Sequence, residues 1–404
     1  MTYGLLGRKL GHSYSPAIHQ KFGNANYRLF EVEPENLEDF LHQRQFRGLN
    51  VTMPYKKAVI PYLDELSEVA QKVGAVNTIY QQNGKLIGHN TDYAGFRQML
   101  RSSRLSVADK KCLILGSGGA SDVARVVLFD EGAEVVVISR TGENHYGNLD
   151  LHKDAAVIVN ATPVGMYPHC GDTPLSLDLF PHLEGVLDVI YNPARTKLLI
   201  DAEIKGLTAI NGLEMLVYQA QEASYYLTGN AVSAEDADRI YHLLQREMEN
   251  IILIGMPGCG KSTIGPLVAQ ALKKEFVDAD LLIEELAGIS IPQIFQTEGD
   301  AGFRALETRV LEDIGKKSGL VIATGGGCVT QARNYPLLHQ NGRILWLQRD
   351  LDKLPLEGRP LSLSGSLKNM YDTRAPLYHA FADTIIDNNG LVENTVQTIL
   401  EKLL

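Results

Sequence analysis

Two groups of residues in this chain have the types and spacing to do chemistry. The first begins at GMPGCGKST, Gly255 to Thr263, which fits G-x-x-x-x-G-K-[ST]. Gly258 and Gly260 let the amides around Cys259 turn inward on phosphate oxygens. Lys261 adds a point charge near the β/γ-phosphates, and the helix that must follow adds a favourable partial charge at its N-terminus. Downstream, FVDAD holds Asp278 and Asp280. On a regular strand their side chains point the same way, so one carboxylate can serve Mg²⁺ and the other an acceptor hydroxyl. A solvated pair at a strand end is the plainer alternative. Arg304 and Glu307 in GFRALE lie one helical turn apart and read equally well as an exposed ion pair. Gly325-Gly326-Gly327 reads as a flexible turn, and Arg359 in GRPLS and Arg374 in TRAPLY as surface arginines. The loop alone says nucleoside triphosphate; GTPases, transport ATPases and small-molecule kinases all use it.

The second group fills the first half. GHSYSP, GLNVTMPYK, GAVNT and GHNTD are dense in polar groups at turns. Singly they are ordinary turn and cap residues: Lys56 can be a solvated lysine, and Asp92 can cap a helix starting near Tyr93. After the apolar run CLILG comes GSGGAS, with Gly116, Gly118, Gly119 and Ala120, a loose match to the turn that holds a dinucleotide pyrophosphate. The next strand ends in Ser139-Arg140-Thr141 rather than in an acidic residue. That favours the 2′-phosphate of NADP over the free ribose of NAD.

These residues need elements to place them. Short strands at Tyr3–Leu6, Arg28–Glu31 and Gly48–Val51 alternate with helical stretches at Pro16–Gly23 and Leu37–Gln45. A second α/β unit starts at Lys111, with a helix from Asp122 to Glu131, strands at 134–139, 156–160 and 186–189, and helices at 212–228 and 234–249. A third starts at Ile251, whose loop opens a helix from Ile264 to Leu272, with an apolar strand at 320–323. No Gly/Ser/Pro-rich linker separates the last two. A length of 404 residues allows two or three domains. A net charge of −10 does not suggest a basic face for nucleic acid. No apolar run approaches the ~18 residues of a membrane span. Cys112, Cys170, Cys259 and Cys328 have neither metal nor disulfide spacing, which points to a reducing cytoplasm.

Taken together, the motifs of residues 1–245 resemble the shikimate dehydrogenase family. The match runs through Ser13 and Ser15 in HSYSP; Asn50, Thr52 and Lys56 in NVTMPYK; Asn77 in GAVNT; Asp92 in GHNTD; then NATPVGM, DVIYNP and GLEMLVYQA. The resemblance implies hydride transfer between NADP(H) and the C3 carbonyl of 3-dehydroshikimate, with Lys56 and Asp92 as the acid–base pair. It implies that Ser13, Ser15, Thr52, Asn77, Asp92, Tyr191 and Gln219 surround the substrate. The cofactor would lie against Gly116, Gly118, Gly119, Ala120, Ser139, Arg140, Thr141, Thr162 and Gly212. Two departures stand out: residues 142–155 are shorter than the family's usual excursion, and Gln20 replaces a common Asn.

Residues 250–404 resemble shikimate kinase. That implies ATP phosphates on Gly258, Cys259, Gly260, Lys261, Ser262 and Thr263, and Mg²⁺ on Ser262 and Asp278. Asp280 would orient the shikimate 3-hydroxyl. Arg304 and Arg374 would clamp the carboxylate beside Gly326 and Gly327, and Arg359 would arrive on a lid. The segment from Arg349 to Arg359 is short and lacks the additional arginine that often stacks on adenine in this family.

The expected fold is α/β throughout: a substrate domain (1–96), a Rossmann NADP domain (97–245) and a P-loop domain resembling nucleoside-monophosphate kinases, with a parallel sheet (250–404). The expected function is bifunctional, with small-molecule partners and an oligomeric state open between monomer and homodimer. The rivals are a broader quinate/shikimate dehydrogenase using NAD, and an inactive metabolite-binding fusion.

Overall fold

In the computed structural model, residues 2–11, 13–354 and 367–403 are described. The chain divides into two units, Met1–Tyr191 with Thr196–Leu244, and Asn192–Arg195 with Gln245–Leu404.

The first unit holds two sheets. One is six-stranded and mixed. Strand Thr2–Gly7 pairs in parallel with Tyr27–Glu31 and Phe46–Val51, and the last pairs antiparallel with Thr78–Gln82. Thr78–Gln82 turns into Lys85–His89 through Asn83 (φ 52°) and Gly84 (φ 79°), the left-handed pair that a two-residue hairpin demands. Leu6, Leu41, Leu49, Ile79 and Leu86 form its core.

The second sheet is five-stranded and parallel, ordered Thr208–Ile210, Gly185–Asp188, Val157–Asn160, Lys111–Leu115, Glu134–Ile138. Cys112 to Leu115 and Val157 to Val159 are buried without alternation, as strands covered on both faces must be. The chain winds away in opposite directions on either side of Lys111–Leu115, which leaves a crevice at its C-terminal end. Gly116 occupies that end with φ +105°. A Cβ there would lie 3.0 Å from Ala161 O and from Thr162 Cγ2, so the turn excludes any side chain. Helix Gly119–Asp130 starts three residues before the expected Asp122, because the residues after Gly118 already take helical dihedrals.

The second unit has one parallel sheet, ordered Glu275–Asp278, Leu320–Ala323, Asn250–Ile254, Gly342–Gln348, Thr384–Asp387. Its helices include Lys261–Leu272, Ile291–Gly315 (broken at Gly299), Leu367–Phe381 and Val392–Leu403. Two expectations are corrected here. The helix after the phosphate loop begins at Lys261 rather than Ile264, so Ser262 and Thr263 sit in its first turn. The strand ends at Asp278, and Asp280 lies in the helix Ala279–Ala287, so strand alternation does not aim the two carboxylates. Asp278 instead caps that helix, its Oδ1 accepting from Asp280 N at 3.0 Å.

All four cysteines are buried and unbridged. Among the described residues no helix is long and apolar enough to cross a membrane.

Candidate active sites

In the first unit a cavity of about 450 Å³ opens between the two sheets. Lys56, on the short helix Tyr55–Ala58, puts its Nζ 2.5 Å from Asp92 Oδ2. Asp92 is not the cap of its helix; it is the first residue of Asp92–Ser103, with Thr91 at the cap position. The carboxylate therefore sits at a helix N-terminus, facing the amide end of the helix. Lys56 and Asp92 keep side-chain exposures of 22% and 11%, so the pair is shielded yet reachable.

Buried amides and hydroxyls hold this pair in register. Asn77 Oδ1 accepts from Thr91 N at 2.7 Å, and Asn77 Nδ2 donates to Thr91 Oγ1 at 3.0 Å. Asn50 Oδ1 accepts from Tyr27 Oη at 2.8 Å, and Asn50 Nδ2 donates to Thr78 Oγ1 at 3.1 Å. Ser13, Ser15, Asn50, Thr52, Asn77, Tyr191 and Gln219 all line the cavity. Tyr191 meets Tyr14 edge to face at 5.7 Å. Burial pushes its phenol up to about 12, so at neutral pH it is a donor.

The dinucleotide loop shares the same space. Ala120 and Gly212 line the cavity, and a Cβ on Gly119 would lie 3.6 Å from Lys56 Cδ. On the far wall Asn160 Oδ1 accepts from Thr162 Oγ1 at 2.7 Å, while Asn160 Nδ2 donates to Asp188 at 3.1 Å. The glycine-walled crevice thus fits a dinucleotide. Ser139, Arg140 and Thr141 lie outside the cavity lining, after the second strand of the sheet, with Arg140 exposed. The short 142–155 segment forms the one-turn 3-10 helix Leu149–His152 and a single bridge from His145 to Ser139. Lys9 and Met215 also line the cavity. Neither was singled out from sequence: Met215 carries no ionisable group, and Lys9 reads as one more exposed cation.

His19 supports this site from below and yields a pH prediction. It is fully buried on helix Ser15–Lys21, stacked on Tyr27 with ring centroids 4.1 Å apart. Burial lowers its pKa from 6.5 to about 4. Between those values the unfolded chain binds a proton that the folded chain refuses. Stability of the first unit should therefore fall as pH drops from 6.5 towards 4, by about 1.4 kcal/mol per pH unit at the steepest. Urea midpoints of the wild type and of His19→Gln at pH 7 and pH 5 check this: the pH 5 loss should shrink in the variant. An equal loss in both would remove His19 as its cause.

In the second unit a cavity of about 510 Å³ lies over the phosphate loop. Gly258, Gly260, Lys261, Ser262, Thr263, Asp280, Arg304, Gly326, Gly327 and Arg374, all named from the sequence, line it. Lys261 Nζ donates to Gly255 O at 2.9 Å and to Met256 O at 3.1 Å. Ser262 Oγ donates to Asp278 Oδ2 at 2.7 Å, placing two oxygen donors together beside the phosphate loop. That pair fits Mg²⁺, which takes few protein ligands alongside substrate phosphates; among the described residues no cluster of three or more His, Cys, Asp or Glu could hold a metal.

Arg304 and Glu307 are not the exposed pair their spacing allows. Both are buried, with Nη1 and Oε2 2.7 Å apart, and Arg304 lies against the face of Phe303. A Cβ on Gly327 would come within 2.2 Å of Arg304 Nη2, so the glycine is what admits the guanidinium. Arg374 Nη1 donates to Gly326 O at 3.1 Å. Asp280 Oδ1 and Glu307 Oε1 are buried without a hydrogen-bond partner. Burial raises the pKa of both carboxyls above the ordinary range. Unpaired buried oxygens of this kind are costly unless a ligand meets them.

Cys259 does not line the cavity; its side chain is buried, and its N–H donates to Met256 O at 3.1 Å. Asp278 sits behind Ser262 rather than in the lining. Arg359 lies outside the described residues. Glu284, Phe295, Phe303 and Thr324 line the cavity and were not anticipated, since apolar residues at helical spacing look like core.

The chain is similar to known proteins along both halves. A shikimate dehydrogenase substrate-binding-domain model matches residues 5–79, and a shikimate kinase model matches residues 257–404. A shikimate dehydrogenase (NADP(+)) of Clostridium beijerinckii is 38% identical over 242 residues, covering 55% of this chain and 89% of that protein. The crystal structure of a chorismate mutase/shikimate 5-dehydrogenase fusion protein from Clostridium acetobutylicum is 37% identical with a TM-score of 0.58, covering 60% of this chain and 97% of that one. A shikimate 5-dehydrogenase from Thermus thermophilus, solved with NADP(H) and shikimate, is 33% identical with a TM-score of 0.55, covering 60% and 99%. The chain belongs to the shikimate dehydrogenase family and carries a shikimate kinase domain at its C-terminal end, which makes it a bifunctional enzyme of the shikimate pathway, NADP-dependent in its first half and ATP-dependent in its second.

Proposed function

We propose that the first site reduces 3-dehydroshikimate to shikimate and that the second phosphorylates the shikimate 3-hydroxyl. The observation that carries this reading is that each cavity joins a nucleotide loop to acid–base groups within reach of a small polyol: Lys56 and Asp92 in one, Asp280 in the other. We take the domains as 1–96, 97–245 and 250–404.

In the reductive direction NADPH, when bound along Gly116 to Ala120 with Thr162 and Gly212 opposite, supplies the hydride. Arg140, with Ser139 and Thr141, is positioned by sequence to meet the 2′-phosphate. The carbonyl carbon gains negative charge on its oxygen as it is reduced, and the Lys56 ammonium gives that oxygen a proton. Asp92, 2.5 Å away, holds the ammonium in place before transfer. Ser13, Ser15, Thr52, Asn77, Tyr191 and Gln219 hold the substrate's carboxylate and hydroxyls.

In the second site Ser262 and Asp278 would hold Mg²⁺, which supplies charge neutralisation on the ATP phosphates. Lys261 adds its charge there, and Asp280 orients the 3-hydroxyl and takes its proton. Arg304, fixed by Glu307, and Arg374 clamp the carboxylate with planar forks. Purified protein should reduce NADP⁺ with shikimate and release ADP from MgATP with shikimate, each faster than with NAD⁺ or quinate in its place. Absence of both activities would contradict the reading and favour a metabolite-binding fusion.

A further inference from the structure

The cavity of the first unit carries a charge that its chemistry does not use. Three of its lining residues are charged: Lys9, Lys56 and Asp92. Lys56 and Asp92 neutralise one another across 2.5 Å. Tyr191, its phenol pushed up to about 12 by burial, stays uncharged at neutral pH. Lys9 therefore leaves the described lining with one net positive charge, which matches a ligand carrying one negative charge.

The local structure sets Lys9 at the mouth of this cavity. It lies two residues past strand Thr2–Gly7, in a turn closed by Ser13 N, which donates to Leu10 O at 3.0 Å. Leu10 N donates to Glu31 Oε1 at 2.7 Å, pinning the turn to the neighbouring strand. Lys9 is exposed, and it lines both the cavity and an outer groove that it shares with Arg8, Met53 and Pro54. The two cations of that groove differ. Arg8 pairs with Glu33 at 2.8 Å, whereas no ion pair among the described residues engages Lys9. Neither Glu31 nor Glu33 lines the cavity.

The groups that follow Lys9 in the chain are donors. Ser13 and Ser15 line the same cavity, and Ser13 Oγ accepts from Ser15 N at 3.2 Å, which leaves its O–H to donate. A cation followed by two hydroxyls suits a carboxylate, whose two oxygens accept several hydrogen bonds at once. We propose that Lys9 is the counter-charge for the substrate's carboxylate: it draws the anion into the cavity and discriminates against polyols that lack the charge. This rests on the dehydrogenase reading of the first site and deepens it. An exposed, strongly hydrated ammonium at the mouth acts on capture of the anion rather than on hydride transfer.

Steady-state oxidation of shikimate with NADP⁺ by the full-length protein tests this, for the wild type, Lys9→Gln and Lys9→Arg. The methyl ester of shikimate is the uncharged comparison. In Lys9→Gln the KM for shikimate should rise about fivefold, the upper size of an exposed ion pair, while kcat and the KM for the ester move less than about twofold. Lys9→Arg should restore the wild-type KM. The penalty should shrink as salt rises from about 20 mM to about 500 mM, where the Debye length falls from about 20 Å to about 4 Å. An unchanged KM for shikimate in Lys9→Gln, or an equal rise for the acid and its ester, would overturn the proposal. So would a rise confined to NADP⁺, which would assign Lys9 to the cofactor's phosphates. The dehydrogenase kcat reports that the variants are folded. A wild type that oxidises neither shikimate nor its ester would instead defeat the dehydrogenase reading on which the proposal stands.

Discussion

Lys56→Ala should lower the dehydrogenase kcat by about 10²- to 10⁴-fold, the range that a positioned acid–base group supplies. The prediction follows from geometry. Lys56 Nζ is the cation 2.5 Å from Asp92, and both line the cavity that Ala120 of the dinucleotide loop also lines. Without it the developing alkoxide must take its proton from water. Folding should survive, because the lysine is partly exposed and Asp92 keeps its place at a helix N-terminus. Substrate KM should move far less than kcat, since the hydroxyl and amide groups around the substrate are untouched. Lys56→Arg separates charge from proton transfer: it preserves a cation beside Asp92 but cannot give up its proton at neutral pH. Phosphorylation of shikimate by the same chain is the internal control and should be unchanged. Less than a threefold loss in kcat would remove Lys56 from the chemistry.

Lys261→Met should cost the kinase about 10²- to 10³-fold in kcat, comparable to removing one preorganised donor to a charged transition state. Methionine keeps most of the stem's volume in a position that is only 8% exposed, so packing is largely preserved while the charge is lost. The two buried loop carbonyls that Lys261 now satisfies, Gly255 O and Met256 O, lose that donor, so a loss of stability of about 1–3 kcal/mol accompanies the substitution. Steady-state rates at saturating shikimate check the size of the loss, and the dehydrogenase rate should be unaltered. A kinase rate within threefold of the wild type would show that Lys261 does not act on the phosphates.

Much of this was legible from residue order. The hydrophobic runs at 112–115 and 320–323 could only be buried parallel strands once glycine turns followed them, and the strands fall there. The ordered motifs pointed to Ser13, Thr52, Lys56, Asn77 and Asp92 as one group, and these residues share one cavity although the first and last are 79 positions apart. Local rules did less well. Asp278 and Asp280 were expected on one strand because a period of two is the simplest way to aim two carboxylates. Asp278 instead ends the strand by capping the next helix, and the carboxylates diverge into a helix-capping position and a cavity position. Arg304 and Glu307 looked like surface charges because spacing on a helix gives no information about which face is buried.

The two activities stand or fall together in one assay. The purified chain is given 3-dehydroshikimate, NADPH and MgATP, and NADPH loss and ADP release are followed at once. ADP should appear only when NADPH is present, after a lag, and then in step with NADPH loss, because the product of the first site is the substrate of the second. ADP release from 3-dehydroshikimate without NADPH, or NADPH loss that never leads to ADP, would contradict a chain that carries out consecutive reactions.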